Sequence, residues 1–249
     1  MLPFIIPTIS ICNMLHSSPL NYWLKLSCPY IISKQIASMD LQGYTSNTNL
    51  TTTISKRSFI IPQGLNVCFL TDSICRDIKD YMPKAQCWVH PGTTLIRSAM
   101  QHIYHFKTVH SNSIVILHIG TNDIASGAPA SVVIQRMKTL ITRISLTNPH
   151  ILYYGISAIL PRPTDNSTTK NTVKEFNSLL RYWTEQTTNI IFLNTTKPFL
   201  KSGKIIHHLY KQDGLHLTTQ GKQRLFAYFQ RFLWHFCHFQ TPTKKCLTN

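Results

Sequence analysis

Ile114-Val115-Ile116-Leu117-His118-Ile119-Gly120-Thr121-Asn122-Asp123 is the stretch on which the fold turns. Ile114 to Ile119 is almost continuously apolar and largely β-branched, the composition of a strand buried on both faces. Gly120 then permits a sharp backbone turn, and polar residues follow at the strand's carboxyl end. Reading upstream, Leu65 to Leu70 and Ala85 to Val89 are shorter strand candidates. Ser73 to Tyr81 and Leu95 to Tyr104 read as the helices that follow them. Downstream, Val133, Met137, Leu140 and Ile144 recur at helical spacing, as do Val173, Phe176, Leu180 and Trp183. Ile151 to Ile159 and Ile190 to Leu193 supply two more strands, and Leu225, Phe229, Phe232 and Phe236 mark a final helical face packed on the core. Strand and helix alternating five times predict an α/β fold with a parallel sheet covered on both faces. Ligands in such folds gather at the carboxyl ends of the strands.

Residues 1–58 are unlike this pattern. They are rich in Ser, Thr, Asn and Ile without a sustained period, and are expected to form a disordered extension. The patterned domain is placed at 59–238, with a tail at 239–249. Residues 2–15 are apolar but carry Pro3 and Pro7, lack a preceding basic residue and are too short to span a bilayer. An intracellular, cytoplasmic protein is the expectation. Seven cysteines without a Cys-x-x-Cys argue for free thiols rather than a disulfide framework. His235-Phe236-Cys237-His238 lacks the second ligand pair of a zinc finger, so no metal is expected there.

Twenty-five Lys and Arg face nine Asp and Glu, a formal charge of +16. The surplus is not confined to a tail, because residues 61–234 alone hold 19 basic and 8 acidic side chains. Such a surface attracts phosphates, nucleic acid or anionic membrane, though no dense basic block or RNA-binding signature is present.

Four polar blocks sit where strands meet loops. Thr71-Asp72-Ser73 ends the first strand, and Gly92 lies in His90-Pro91-Gly92-Thr93-Thr94 after the second. Gly120-Thr121-Asn122-Asp123 follows the third, and Asp213-Gly214-Leu215-His216 precedes the last helix. Ser73 offers a hydroxyl for attack at a helix start, or is an N-cap. Asn122 offers an amide to an oxyanion, or forms an Asx-type turn. Gly92 offers an unobstructed N–H, or is half of a Pro-Gly turn. His216 suits a general base and Asp213 the group that holds its tautomer. His118 is expected to pack on its strand, and Asp72 and Asp123 to brace their loops by accepting backbone N–H bonds. Arg162 and Lys211 place positive charge near the same rim.

In order and context these blocks resemble those of the SGNH hydrolases, also called the GDSL esterase/lipase family, from about Leu65 to about Phe236. Residues 157–163 and Phe176-Asn177-Ser178-Leu179-Leu180 also resemble esterase-like domains of some non-LTR retroelements. The resemblance implies a three-layer α/β/α, flavodoxin-like fold with a five-stranded parallel sheet. It implies Ser73 as nucleophile, His216 as base, Asp213 as its orienter, and an oxyanion hole from Ser73, Gly92 and Asn122. It implies no metal and no organic cofactor, and a small-molecule or lipid ester as substrate. One departure stands out: Thr71 occupies the family's usual glycine position, where a β-branched residue restricts the backbone and adds bulk. The competing expectation is a retroelement-derived module of little or no activity that binds nucleic acid through its basic surface.

Overall fold

The computed structural model describes residues 58–110 and 113–240. The expected arm at 1–58 and tail at 239–249 lie almost wholly outside the described residues. Five strands form one parallel sheet: β1 (Asn66–Thr71), β2 (Gln86–Val89), β3 (Ser113–His118), β4 (Ile151–Ser157) and β5 (Ile190–Leu193). Their order is β2-β1-β3-β4-β5, and all four pairings are parallel, as the alternating pattern predicts. The chain moves outward one way from β1 to β2 and the other way from β3 to β5. The reversal falls between β1 and β3, the position where open α/β sheets leave a crevice at the strand ends.

β3 shows why the sequence reads as continuously apolar. All six of its residues are buried. Ile114 and Ile116 join the core on one face, Val115 and Leu117 the core on the other. On the first face lie the short helix α1 (Ile78–Tyr81) and the long C-terminal helix α6 (Thr219–Gln240). Phe69 of β1 meets Phe229 of α6 there, ring centroids 5.5 Å apart. The second face is covered by α2 (Leu95–Arg97) with its continuation to Thr108, by α4 (Ala130–Thr147) and by α5 (Ser167–Glu185). Burying a sheet on both faces supplies the dominant apolar stabilisation of such a fold.

Two helices differ from the sequence expectation. Ser73 to Tyr81 is not one helix: Ser73–Cys75 is a 3-10 turn, Asp77 sits at φ 72°, and only then does α1 begin. The helix dipole anticipated behind Ser73 is therefore reduced to a single tight turn. Leu95 to Tyr104 starts as α2, widens into a π-turn at Ser98–His102, and tightens to a 3-10 helix at Ile103–Thr108. A further short helix, α3 (Thr121–Ala125), and a hairpin of β6 (Leu200–Lys201) and β7 (Lys204–Ile205) add to the pattern. No described helix is long and apolar enough to cross a membrane.

Candidate active site

The Thr71-Asp72-Ser73 block leaves the end of β1 in a tight turn. Asp72 Oδ1 accepts the Ile74 N–H at 3.0 Å, closing the turn by side-chain capping as anticipated. Ser73 opens this turn and is half-buried. The Ser73 N–H donates to no acceptor among the described residues. Thr71 pairs in register with Val89 and His118 and keeps ordinary strand geometry, so its branched side chain imposes no left-handed backbone. It is fully buried, and its hydroxyl finds no partner among the described residues.

After β2, His90 N donates to Thr71 O and Thr93 N donates to His90 O, making a turn around Pro91-Gly92. Gly92 is exposed at φ 70°, a conformation that favours glycine, and a side chain added there would meet open space. Its N–H also lacks an acceptor among the described residues. After β3, Asn122 in α3 donates its amide Nδ2 to Thr93 O at 2.9 Å. Asp123, with no exposed surface, binds Leu95 N through Oδ2 at 2.9 Å and Arg136 Nη1 through Oδ1 at 3.0 Å. These bonds lock the Gly92 loop against the Asn122 loop, so two of the predicted oxyanion groups are held side by side.

Asp213 and His216 lie in the loop before α6. His216 Nδ1 donates to Asp213 Oδ2 at 2.8 Å, and Asp213 Oδ1 accepts the backbone N–H of Leu215 and of His216. The bond to the His216 side chain and these two backbone bonds hold the Asp213 carboxyl down to about 2. An ionised carboxylate can only accept, so Nδ1 carries the proton and Nε2 presents its lone pair when the ring is neutral. Among the described residues Nε2 makes no hydrogen bond, and none joins Ser73 Oγ to His216.

One ion pair links the start of α6 to the segment after the Ser73 turn. Lys222 Nζ, near the start of α6, lies 2.5 Å from Asp77 Oδ2, just beyond the turn. The charge of His216 also bears on the Asp72 carboxyl. That carboxyl is fully buried, and desolvation raises it to about 6 despite the Ile74 N–H and the charges of Arg162 and His216. His118, at the end of β3, is no competitor as a base. His118 is 2% exposed, its Nδ1 sits 2.6 Å from Ser157 Oγ, and burial lowers it to about 4.

Sequence reasoning missed the support for the Asp213–His216 loop. Arg162 is buried and paired with Asp165 (Nη2–Oδ1 2.6 Å), and its charge also bears on the Asp72 carboxyl. Lys211 is exposed. The Tyr210 hydroxyl donates to Pro161 O, and Thr164 Oγ1 donates to Gly214 O at 3.3 Å. Gly214 has φ 60°, and a Cβ there would stand 2.5 Å from Thr164 Cγ2. The only sequence signal for this brace is Pro161-Arg162-Pro163 followed by Asp165, which reads as a turn and names no partner.

A model of the GDSL-like lipase/acylhydrolase family matches residues 90–224, more than half of the 249 residues. The chain belongs to this family. The matched span takes in Gly92, Asn122, Asp213 and His216, while Ser73 lies upstream of it. No curated protein sequence matches the chain. Among solved structures, a carbohydrate esterase family 3 protein from Talaromyces cellulolyticus shares the fold, with 15% identity, 71% of this chain and 100% of that chain covered, and a TM-score of 0.56. A member of the lipolytic G-D-S-L family from Veillonella parvula does so at 19% identity, covering 67% and 96%, with a TM-score of 0.53. The esterase domain of the ORF1 protein of the zebrafish ZfL2-1 retrotransposon matches at 22% identity over 68% and 99%, with a TM-score of 0.38.

Proposed function

We propose that this chain is a serine hydrolase of acyl esters, with Ser73 as nucleophile, His216 as general base and Asp213 as its orienting carboxylate. The observation that carries the reading is the 2.8 Å bond between His216 Nδ1 and Asp213 Oδ2, which leaves Nε2 without a partner among the described residues. An imidazole held in one tautomer with its second nitrogen free is the group that activates a serine hydroxyl brought to it. Catalytic hydrogen bonds tighten as substrate binds, and in that state Nε2 takes the Ser73 proton.

As the Ser73 Oγ–carbon bond forms, the carbonyl oxygen becomes an oxyanion. The Ser73 and Gly92 N–H groups have no competing acceptor among the described residues and serve as donors. The Asn122 amide spends one N–H on Thr93 O and has a second for the oxyanion. Collapse expels the alkoxide, which takes the proton from the imidazolium. Water then attacks the acyl-enzyme, giving its proton to Nε2, and releases the acid and free Ser73.

The test is covalent labelling. The purified full chain is expected to react with a fluorophosphonate probe and to hydrolyse p-nitrophenyl acetate. Ser73→Ala, with an unchanged thermal midpoint, is expected to lose both. Labelling that survives in Ser73→Ala, or an unreactive wild-type protein, overturns the assignment.

A further inference from the structure

The loop that carries Asp213 and His216 is closed by an isolated antiparallel bridge between Tyr210 and Leu217. Thr218 N donates to Leu209 O at 2.9 Å on one side of the bridge, and Lys211 N donates to His216 O at 2.8 Å on the other. Gly214 N then donates to Lys211 O, which turns the chain back. Lys211 and His216 thus stand directly opposite each other, one step from the bridge. Opposite residues of an antiparallel pair put their side chains on one face, with Cβ atoms about 4.5–5.5 Å apart. Tyr210 and Leu217 take the buried face at 5% and 1% exposure, so Lys211 and His216 take the open one.

Lys211 is the uncommitted cation of this loop. Arg162 is paired with Asp165, and Lys222 with Asp77. Lys211 is exposed and makes no ion pair among the described residues. Asp213, the nearest carboxylate in sequence, instead holds the His216 ring through Oδ2 and two backbone N–H groups through Oδ1. After Glu185 the sequence has no other acidic side chain, against nine Lys and Arg, so no neighbour in this stretch competes for the Lys211 ammonium.

We propose that Lys211 makes this site select esters whose alcohol portion carries a negative charge, such as a phosphate, sulfate or carboxylate. The inference rests on the proposed function. In that mechanism the leaving oxygen takes its proton from His216 Nε2 and so lies within about 3 Å of it. The carbonyl oxygen is held elsewhere, by Ser73, Gly92 and Asn122. The alcohol portion therefore passes the open face of His216 and is the part of the substrate that meets Lys211. The flexible four-carbon stem lets the ammonium follow an anion placed there. A neutral alcohol gains nothing from it, and a cationic one is repelled. The contact is exposed to water, so the preference is a matter of a few-fold.

A matched pair of monomeric, lipid-free acetyl esters tests this on the full chain: 4-acetoxybenzenesulfonate, which is anionic, and 4-acetoxybenzenesulfonamide, which is neutral. Each kcat/KM is divided by the spontaneous hydrolysis rate of the same ester. Wild type is expected to favour the sulfonate by about three- to fivefold at low salt, and to lose that preference at about 0.5 M salt. Lys211→Gln, with a wild-type thermal midpoint, is expected to bring the ratio close to one. Lys211→Glu is expected to push it below one, and Lys211→Arg to restore it. Lys84 is exposed just before β2, at the amino ends of the strands, and Lys84→Gln is expected to keep the wild-type ratio. A wild-type ratio near one, a ratio unmoved in Lys211→Glu, or an equal fall in Lys84→Gln overturns the selection by Lys211. Hydrolysis of p-nitrophenyl acetate that depends on Ser73 leaves the proposed function standing in those cases. A wild-type protein that hydrolyses no ester and takes no fluorophosphonate label overturns both.

Discussion

Asp72 and Asp213 are both loop aspartates beside the candidate site, yet their surroundings are opposite. Asp72 is 1% exposed, accepts one backbone bond through Oδ1, and leaves Oδ2 without a partner among the described residues. Asp213 has a side chain 47% exposed and accepts three bonds, two from backbone and one from His216. Burial drives the first up to about 6, while hydrogen bonding draws the second down to about 2. The difference separates two uses of a loop carboxylate. Buried ones such as Asp72 and Asp123 shape loops, while the solvated one binds an imidazole, the pair to which the proposed function assigns the chemistry.

The sharpest break of this contrast is Asp213→Asn. If the solvated aspartate serves chemistry, hydrolysis of p-nitrophenyl acetate should fall about 10³–10⁴-fold, while the thermal midpoint barely moves. Loss of stability with retained turnover would reverse the roles assigned above. Asp123→Ala is the complementary probe. It leaves the buried Leu95 N–H without its acceptor and should cost about 2–3 kcal/mol in urea unfolding. A change of only a few tenths would show that the latch between the Gly92 and Asn122 loops is dispensable.

The third probe reads Asp72 through pH. Its folded value, about 6, lies above the ordinary 3.8, so protonation favours the folded state. Its contribution is fully present below about pH 4 and is lost as pH rises through 6. Wild type should lose on the order of 2–3 kcal/mol from this group across that window. Asp72→Asn should flatten that part of the profile. Parallel stability curves for the two proteins between pH 4 and 7 would remove Asp72 from the account. Asp213 has the opposite sign, since its depressed value favours the folded state above the ordinary range and loses that effect as pH falls toward 2. Its exposure makes the stability effect small.

Much of the fold was legible because burial writes itself into composition. β5 spans the predicted Ile190 to Leu193, and β3 differs from its expected span by a single residue at each end. The helical face through Leu225, Phe229, Phe232 and Phe236 lies buried in α6, as its spacing requires. Helix detail was less legible. The π-turn at Ser98–His102 and the break at Asp77 make bonds to partners far away in sequence, Arg143 and Lys222, that no local pattern names. The role of Asp123 as a brace was anticipated, but its partners Leu95 and Arg136 were not.

For the site, residue type and order were enough to nominate Ser73, Gly92, Asn122, Asp213 and His216, because local spacing alone sets which groups leave each strand end. Spacing alone also makes the Asp213–His216 bond possible, since a three-residue step lets one loop close on itself. Whether Arg162 is a free cation or a buried half of a pair was decided only in three dimensions, by Asp165 and the loss of solvent. The same holds for the fit of Thr71 into ordinary strand geometry and for the brace from Thr164 to Gly214. Periodicity records which faces avoid water, whereas long-range pairing depends on which folded surfaces meet, and a linear chain does not encode that meeting at any one position.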